Sequence, residues 1–210
     1  MEKVMLVGLC GGSGSGKGYV SAVFRKFGIP SIDTDAVYRN LTSPAEKPSE
    51  CMEALRSRFG ASVVADDNSL NRVAMRSLVF GEENRHNLDD LNKITHRFIL
   101  QKTNDIANEL FSDGYDVVLI DAPLLYESGF DKLCVKNICV TADKETQIQR
   151  IMKRDNITRE AAEKRINSQL SQSDVEKRSD YVIHNDTTDE ELEKRIFEVA
   201  DELKKIYNEN

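Results

Sequence analysis

The sequence predicts an α/β protein built on a five-stranded, mainly parallel sheet flanked by helices. Short apolar runs rich in β-branched residues alternate along the chain with segments whose apolar residues recur at helical spacing. A glycine-rich turn directly follows the first apolar run, as expected where a strand passes into a helix. With 40% hydrophobic and 31% charged residues among 210, the chain falls outside the disordered class.

We expect strands near residues 3–9, 28–33, 116–121, 135–141 and 180–184. The interval from about Ser49 to Phe111 breaks the alternation, because its apolar residues recur at helical spacing without a convincing strand. This predicts a helical insertion after the second strand, overhanging the carboxyl ends of the strands, where open α/β sheets bind ligands. A core-facing stripe marks the final helix: Leu192, Ile196, Val199, Leu203 and Ile206.

Composition also excludes several classes of protein. A net charge of −7 argues against a general nucleic-acid binder. The sequence has no apolar run near 18 residues and no signal-peptide pattern, so we expect a cytoplasmic protein without a membrane partner. The four cysteines form no C-x-x-C pair, which disfavours a disulfide framework or a zinc site. Cys10 is interpreted as a small core residue rather than a redox sensor. The sequence gives no indication of the oligomeric state.

The glycine-rich turn carries the strongest functional signal. Gly11, four further residues and then Gly16-Lys17 form the G-x-x-x-x-G-K spacing, in which backbone N–H groups close around phosphate oxygens. A helix starting near Gly16 would add its positive dipole end, and Lys17 a point charge for the outer phosphates. The alternative is a flexible turn that binds nothing. The candidate phosphate ligands are Gly11, Gly12, Ser13, Gly14, Ser15, Gly16, Lys17 and Gly18.

Three aspartates end predicted strands. Asp33 and Asp35 follow the second strand, where one could accept the proton of an attacking hydroxyl while the other caps the next helix. Asp121 ends the third strand and is a candidate Mg²⁺ ligand, with an ordinary strand-end aspartate as the alternative.

Positive charge is concentrated in residues 150–178, which carry +3 while the rest of the chain carries −10. A basic segment on an acidic protein suggests a cap over phosphates, although a solvated helix face gives the same pattern. Arg150 and Arg154 lie four residues apart and share a helix face, as do Arg165 and Gln169. Two guanidinium groups could therefore reach a transferring phosphoryl group, or form surface ion pairs.

Taken together, these residues resemble the dephospho-coenzyme A (dephospho-CoA) kinase family through nearly the whole chain. The matching pieces run in order: Gly8–Lys17; Ile32–Asp35 with Arg39; Phe59–Gly60; Leu70–Arg72; Val79–Phe80; Ile94–His96; Asp121–Glu127; Gln147, Arg150 and Arg154–Asp155; Arg165–Ile166 with Gln169; Asp180–Ile183 with Asn185. The resemblance implies a P-loop kinase fold that transfers the γ-phosphoryl group of ATP, with Mg²⁺, to the ribose 3′-hydroxyl of dephospho-CoA.

The resemblance also implies roles for particular residues. Asp35 would be the catalytic base, Lys17 the phosphate clamp, and Arg150 and Arg154 charge-stabilising lid residues. Arg165 and Asn185 would join the nucleotide site. The implied acceptor residues are Asp33, Asp35, Arg39, Arg72, His96, Leu124, Leu125 and Glu127. His96 could equally be a packing histidine.

We therefore predict one P-loop kinase domain over residues 1–210, with a nucleotide-binding core (about 1–41, 112–149 and 179–210), a helical acceptor-binding insertion (about 42–111) and a basic lid (about 150–178). Gly18 stands where this loop usually carries a metal-binding Ser or Thr. Two other functions stay open: a kinase acting on a nucleoside or nucleoside monophosphate, and a non-catalytic nucleotide-binding switch.

Overall fold

The computed structural model describes residues 4–209 and divides the chain into two compact units. Met1–Ile32 and Ala107–Asn210 form the first unit, and Asp33–Ile106 forms the second. The first part of the predicted strand at 3–9, residue 3, lies outside the described residues.

The first unit is organised around a parallel sheet. Its strands are β1 (Met5–Gly11), β2 (Ser31–Asp33, whose last residue opens the second unit), β3 (Val117–Asp121), β4 (Lys136–Thr141) and β5 (Tyr181–His184). The order is β2-β3-β1-β4-β5. β1 pairs in parallel with both β3 and β4, and β4 pairs in parallel with β5. The predicted five-stranded α/β sheet is confirmed.

Two strand boundaries differ from the prediction. β1 runs on to Gly11, because Cys10 and Gly11 pair with Cys139 and Val140 of β4. The strand expected at 28–33 begins only at Ser31. Gly28 has a φ of 78° and its N–H bonds to Arg25, so it belongs to the turn that closes the preceding helix.

The first unit also contains five helices within the described residues: α1 (Lys17–Lys26), α6 (Lys144–Asp155), α7 (Arg159–Asn167), α8 (Gln172–Arg178) and α9 (Asp189–Glu209). The core joins apolar residues of the strands to Val20, Val23 and Phe24 of α1 and to the stripe on α9, where Ile196 and Leu203 are fully buried. No helix between residues 4 and 209 is both long and apolar enough to cross a membrane.

The second unit is helical and has its own core. It contains α2 (Thr34–Leu41), α3 (Glu50–Phe59), α4 (Arg72–Val79) and most of α5 (Arg85–Ser112). Ser49 and Asn71 cap α3 and α4 by accepting hydrogen bonds from Met52 N and Ala74 N. The buried cluster comprises Cys51, Met52, Leu55, Val63, Leu70, Met75, Val79 and Phe98. The described part of this unit shows one isolated β-bridge, Val64 with Leu70, which the helical pattern did not predict.

The packing of α9 on the sheet allows us to predict how a substitution in this helix changes the stability of the protein. Ile196→Ala removes a fully buried side chain, and we expect a loss of about 3 kcal/mol in the free energy of unfolding. Lys194→Ala, on the exposed face of the same helix, is the control and should stay within about 0.5 kcal/mol. Urea unfolding of both variants checks this; equal losses would mean that the stripe on α9 does not anchor the sheet.

Candidate phosphate-binding site

The loop between β1 and α1 has the backbone shape that its glycines permit. Gly14 and Gly16 have φ values of 79° and 84°, in the left-handed region. A Cβ on Gly14 would lie 2.6 Å from the carbonyl oxygen of Gln147, and one on Gly16 would lie 1.9 Å from Asn185 Nδ2. These two positions therefore require glycine both for conformation and for space.

Carbonyl groups of this loop are held by two polar side chains. Asn185 Nδ2 donates to the carbonyl oxygen of Ser15 at 2.7 Å. Arg150 Nη1 donates to the carbonyl oxygens of Gly14 and Ser15, both at 3.3 Å, and its Nη2 donates to Asn185 O at 2.9 Å. Asn185 is fixed in turn, because its N–H bonds to Thr141 O at 2.7 Å. We call this arrangement of Arg150 and Asn185 the carbonyl clamp. It occupies carbonyl oxygens that would repel a phosphate.

Lys17 and Asp121 form a largely buried ion pair beside the loop. Their side chains are only 16% and 10% exposed. β1 and β3 bring them together, because Leu9 lies opposite Asp121 in the parallel register. The pair thus places one cation and one carboxylate where the loop joins α1.

Asp121 offers a hard oxygen ligand for a divalent cation. Among the described residues, no three or more His, Cys, Asp or Glu side chains are grouped to hold a metal ion. Mg²⁺ is commonly bound through one or two carboxylates together with substrate phosphates and water, so a single carboxylate fits that mode of binding. Gly18 contributes no hydroxyl.

A contact to the loop that sequence reasoning did not assign to the site comes from Gln169. Its Oε1 accepts a hydrogen bond from Ser13 N at 2.9 Å, so one of the loop's N–H donors is already occupied. The sequence predicted that Gln169 shares a helix face with Arg165, and this is wrong: α7 ends at Asn167, so Gln169 lies beyond the helix, where its amide reaches a residue 156 positions away.

The other two arginines predicted for the site are brought together at Asp155. Arg154 makes two hydrogen bonds to that carboxylate, at 2.8 and 2.9 Å, and Arg165 binds the same group. The hydrogen bonds from Arg154 lower the pKa of Asp155. Both arginines are about half exposed. Of the three, Arg150 is the one that hydrogen-bonds to the loop.

Asp33 and Asp35 have different surroundings in the second unit. Asp33 caps α2: its Oδ1 accepts from Asp35 N at 2.9 Å and Ala36 N at 3.0 Å, while Arg39 lies 3.3 Å from its Oδ2. The carboxylate of Asp35 is exposed and makes no hydrogen bond or ion pair with another described residue. We expected one of the two aspartates to cap the helix, and Asp33 is the one that caps α2.

The remaining acceptor candidates differ in exposure. Arg72 is exposed at the start of α4, and His96 on α5 is half-buried, with its pKa lowered by burial. In the first unit, Leu124 and Glu127 are exposed, whereas Leu125 is fully buried. Leu124 is thus the accessible leucine of the pair.

Comparison with known proteins gives a consistent result. The family model described as dephospho-CoA kinase matches residues 5–191. The dephospho-CoA kinase of Halalkalibacterium halodurans is 34% identical over 202 residues, covering 96% of this chain and 98% of that protein.

Solved structures share the fold. The structure of TT1252 from Thermus thermophilus has a TM-score of 0.77 at 27% identity, covering 94% of this chain and 96% of that chain. Dephospho-CoA kinase from Campylobacter jejuni has a TM-score of 0.66 at 23% identity, covering 95% of this chain and 97% of that chain. The architecture is that of the P-loop kinases.

Loop geometry predicts opposite outcomes for two glycines. Gly14→Ala places a side chain at positive φ and against the backbone of Gln147, so we expect at least a tenfold loss of ATP affinity. Gly18→Ala is the matched control, because its Cβ meets nothing within 4 Å, and its ATP affinity should stay within about twofold. Isothermal titration calorimetry measures both. Equal affinities would show that the shape of the loop at Gly14 is unimportant.

Proposed function

This chain belongs to the dephospho-CoA kinase family and is an ATP-dependent kinase of CoA biosynthesis, and we propose that it phosphorylates the ribose 3′-hydroxyl of dephospho-CoA. The products are CoA and ADP. The observation that carries the proposal is the family match over residues 5–191, in a chain whose phosphate loop has the shape such chemistry needs. Phosphoryl transfer depends on positioning and charge neutralisation rather than on covalent chemistry by the protein.

On the nucleotide side, we assign ATP binding to residues 11–18. Their N–H groups and the N-terminus of α1 hold the phosphates, and Lys17 neutralises charge on the transferring group. Support comes from the carbonyl clamp, which preorganises the loop before ATP arrives. In this role Arg150 affects nucleotide binding indirectly, because it fixes the carbonyl groups of the loop rather than contacting the phosphates itself. Phosphate competes with Gln169 for the N–H of Ser13.

The assignment of a metal ion rests on Asp121. When bound, Mg²⁺ neutralises charge on the phosphate oxygens and favours in-line transfer. Asp121 would hold it directly or through water, since Gly18 supplies no hydroxyl. The ammonium group of Lys17 is paired with Asp121 in the structure. When ATP binds, it would exchange this ion pair for one with a phosphate group.

For the acceptor, we assign Asp35 as general base. Asp33 is committed to its cap and to Arg39, whereas Asp35 is exposed, which suits a group that must accept a proton from a hydroxyl. We assign acceptor binding to residues that carry charge, an imidazole or an exposed apolar surface: Asp33, Arg39, Arg72, His96, Leu124 and Glu127. Leu125 supports Leu124 from the core.

Residues 150–178 are proposed as the lid. Arg154 and Arg165 share Asp155, and a phosphate can replace that carboxylate as their partner at little cost because both guanidinium groups are about half exposed. Residues 42–111 are proposed as the acceptor-binding insertion, and the rest of the chain as the nucleotide core. The expected partner is the small molecule dephospho-CoA, and the expected location is the cytoplasm.

A panel of acceptors tests the function. We expect Mg²⁺-dependent ADP release from ATP with dephospho-CoA, and no release above a blank without acceptor when nucleosides or nucleoside monophosphates replace it. Mass spectrometry of the product should show one added phosphoryl group on the ribose. Turnover with another acceptor alone would favour a nucleoside or nucleotide kinase. ATP binding without turnover would favour a switch protein.

Asp35 provides a sharper test of the mechanism. Asp35→Asn removes the proton acceptor, and we expect kcat to fall by about two orders of magnitude or more while ATP affinity stays within a few-fold. Asp33→Asn is the matched control, because an amide oxygen still accepts the cap hydrogen bonds, and its kcat should fall much less. Near-wild-type turnover of Asp35→Asn would reject Asp35 as the base.

A further inference from the structure

Two thiols that the proposed reaction does not use lie side by side beneath the phosphate loop. Cys10 on β1 and Cys139 on β4 are partners in the parallel register, so their side chains point to the same face of the sheet. Each residue is only 2% exposed at the protein surface. Both line a partly open cavity of about 50 Å³, which has room for a few water-sized molecules and whose wall also includes Gly12, Gln169 and Glu127 of the proposed site.

Polar contacts distinguish the two sulfur atoms. Cys139 hydrogen-bonds to Cys10, whose own thiol donates to Ile138 O at 3.5 Å. The hydrogen bond from Cys139 lowers the pKa of Cys10, whereas the same bond and burial raise the pKa of Cys139. Cys10 is therefore the thiol that ionises first.

The other two thiols have no such environment. Cys51 lies in the core of the second unit, where burial raises its pKa to about 11. Cys134 donates to Phe130 O at 3.4 Å, and burial raises its pKa to about 12. Since the thiolate is the reactive form, Cys10 is the cysteine expected to react with an electrophile small enough to enter the cavity.

We propose that Cys10 and Cys139 form a reversible oxidation site for small hydroperoxides. The thiolate of Cys10 attacks the peroxide, forming an S–O bond as the O–O bond breaks, and the leaving hydroxide takes a proton to become water. The sulfur of Cys139 then attacks Cys10, forming the S–S bond and releasing the second oxygen as water. The two thiols lose two electrons and two protons, and one hydrogen peroxide becomes two waters.

Sheet geometry predicts that this disulfide is easily reduced. Neighbouring strands lie about 4.8 Å apart, and in-register Cβ atoms of parallel strands have a similar separation. A disulfide usually requires Cβ atoms about 3.5–4.5 Å apart. Closing the bond must therefore draw β1 and β4 together, and strained disulfides are the labile ones. Because Cys10 directly precedes Gly11, the modification lies at the base of the phosphate loop.

Peptide mapping tests the proposal cleanly, because trypsin places each thiol in its own peptide, residues 4–17 and 137–144. We expect a small excess of hydrogen peroxide to link these two peptides in the folded full-length protein, and millimolar dithiothreitol to separate them. Cys139→Ser should abolish the link and leave Cys10 as the oxidised residue. Cys134→Ser, the matched control, should retain it.

Two results would overturn the proposal. One is that both peptides stay unlinked in folded wild-type protein at a peroxide dose that oxidises the same thiols after unfolding in urea. The other is a link that joins either peptide to Cys51 or Cys134 instead. The wild-type map decides the question even where Cys139→Ser folds poorly.

Discussion

The site depends on a constraint on the backbone: the carbonyl oxygens of Gly14 and Ser15 are held by Arg150 and Asn185. A loop that presents N–H groups to an anion must direct its carbonyl oxygens elsewhere, and unsatisfied carbonyl groups inside a protein are costly. The clamp meets both requirements at once. It also explains why the loop needs glycine at positions 14 and 16, where the clamp and α6 leave no room for a Cβ.

Sheet topology is what makes the clamp possible. In the order β3-β1-β4-β5, the carboxyl ends of four strands meet at one edge. β1 delivers the loop to this edge, β3 delivers Asp121, and β4 delivers Thr141, whose carbonyl fixes Asn185 just after β5. Residues spread over 170 positions of sequence thereby form one site. The apolar stripe on α9 supports this arrangement from one face of the sheet.

Charge in the site is balanced before any ligand binds. Lys17 pairs with Asp121, and Arg154 and Arg165 pair with Asp155. The largely buried Lys17 and the half-exposed Arg154 and Arg165 therefore each have a carboxylate partner. In the proposed function, phosphate groups exchange with carboxylates as partners, so nucleotide binding would replace ion pairs rather than create isolated charges.

Much of this could be predicted from the sequence. Spacing of Gly11, Gly16 and Lys17 identified the loop, periodicity identified the five strands and the helical insertion, and the ordered motifs identified the family, which the family model confirms. Local pattern could not reveal contacts across the fold, such as that of Gln169 with Ser13, or the burial of Leu125. Nor could it decide between Asp33 and Asp35 as the cap, because both spacings suit the start of α2 and only side-chain geometry separates them.

The most direct test of the account is an ATP titration of ¹⁵N-labelled protein followed by amide NMR. The account predicts that the largest shift changes fall on residues 11–18 and on the side-chain amide of Gln169, because phosphate oxygens take over the N–H of Ser13. ATP binding, verified by calorimetry, that leaves the amides of residues 11–18 unmoved would contradict the claim that this clamped loop is the nucleotide site.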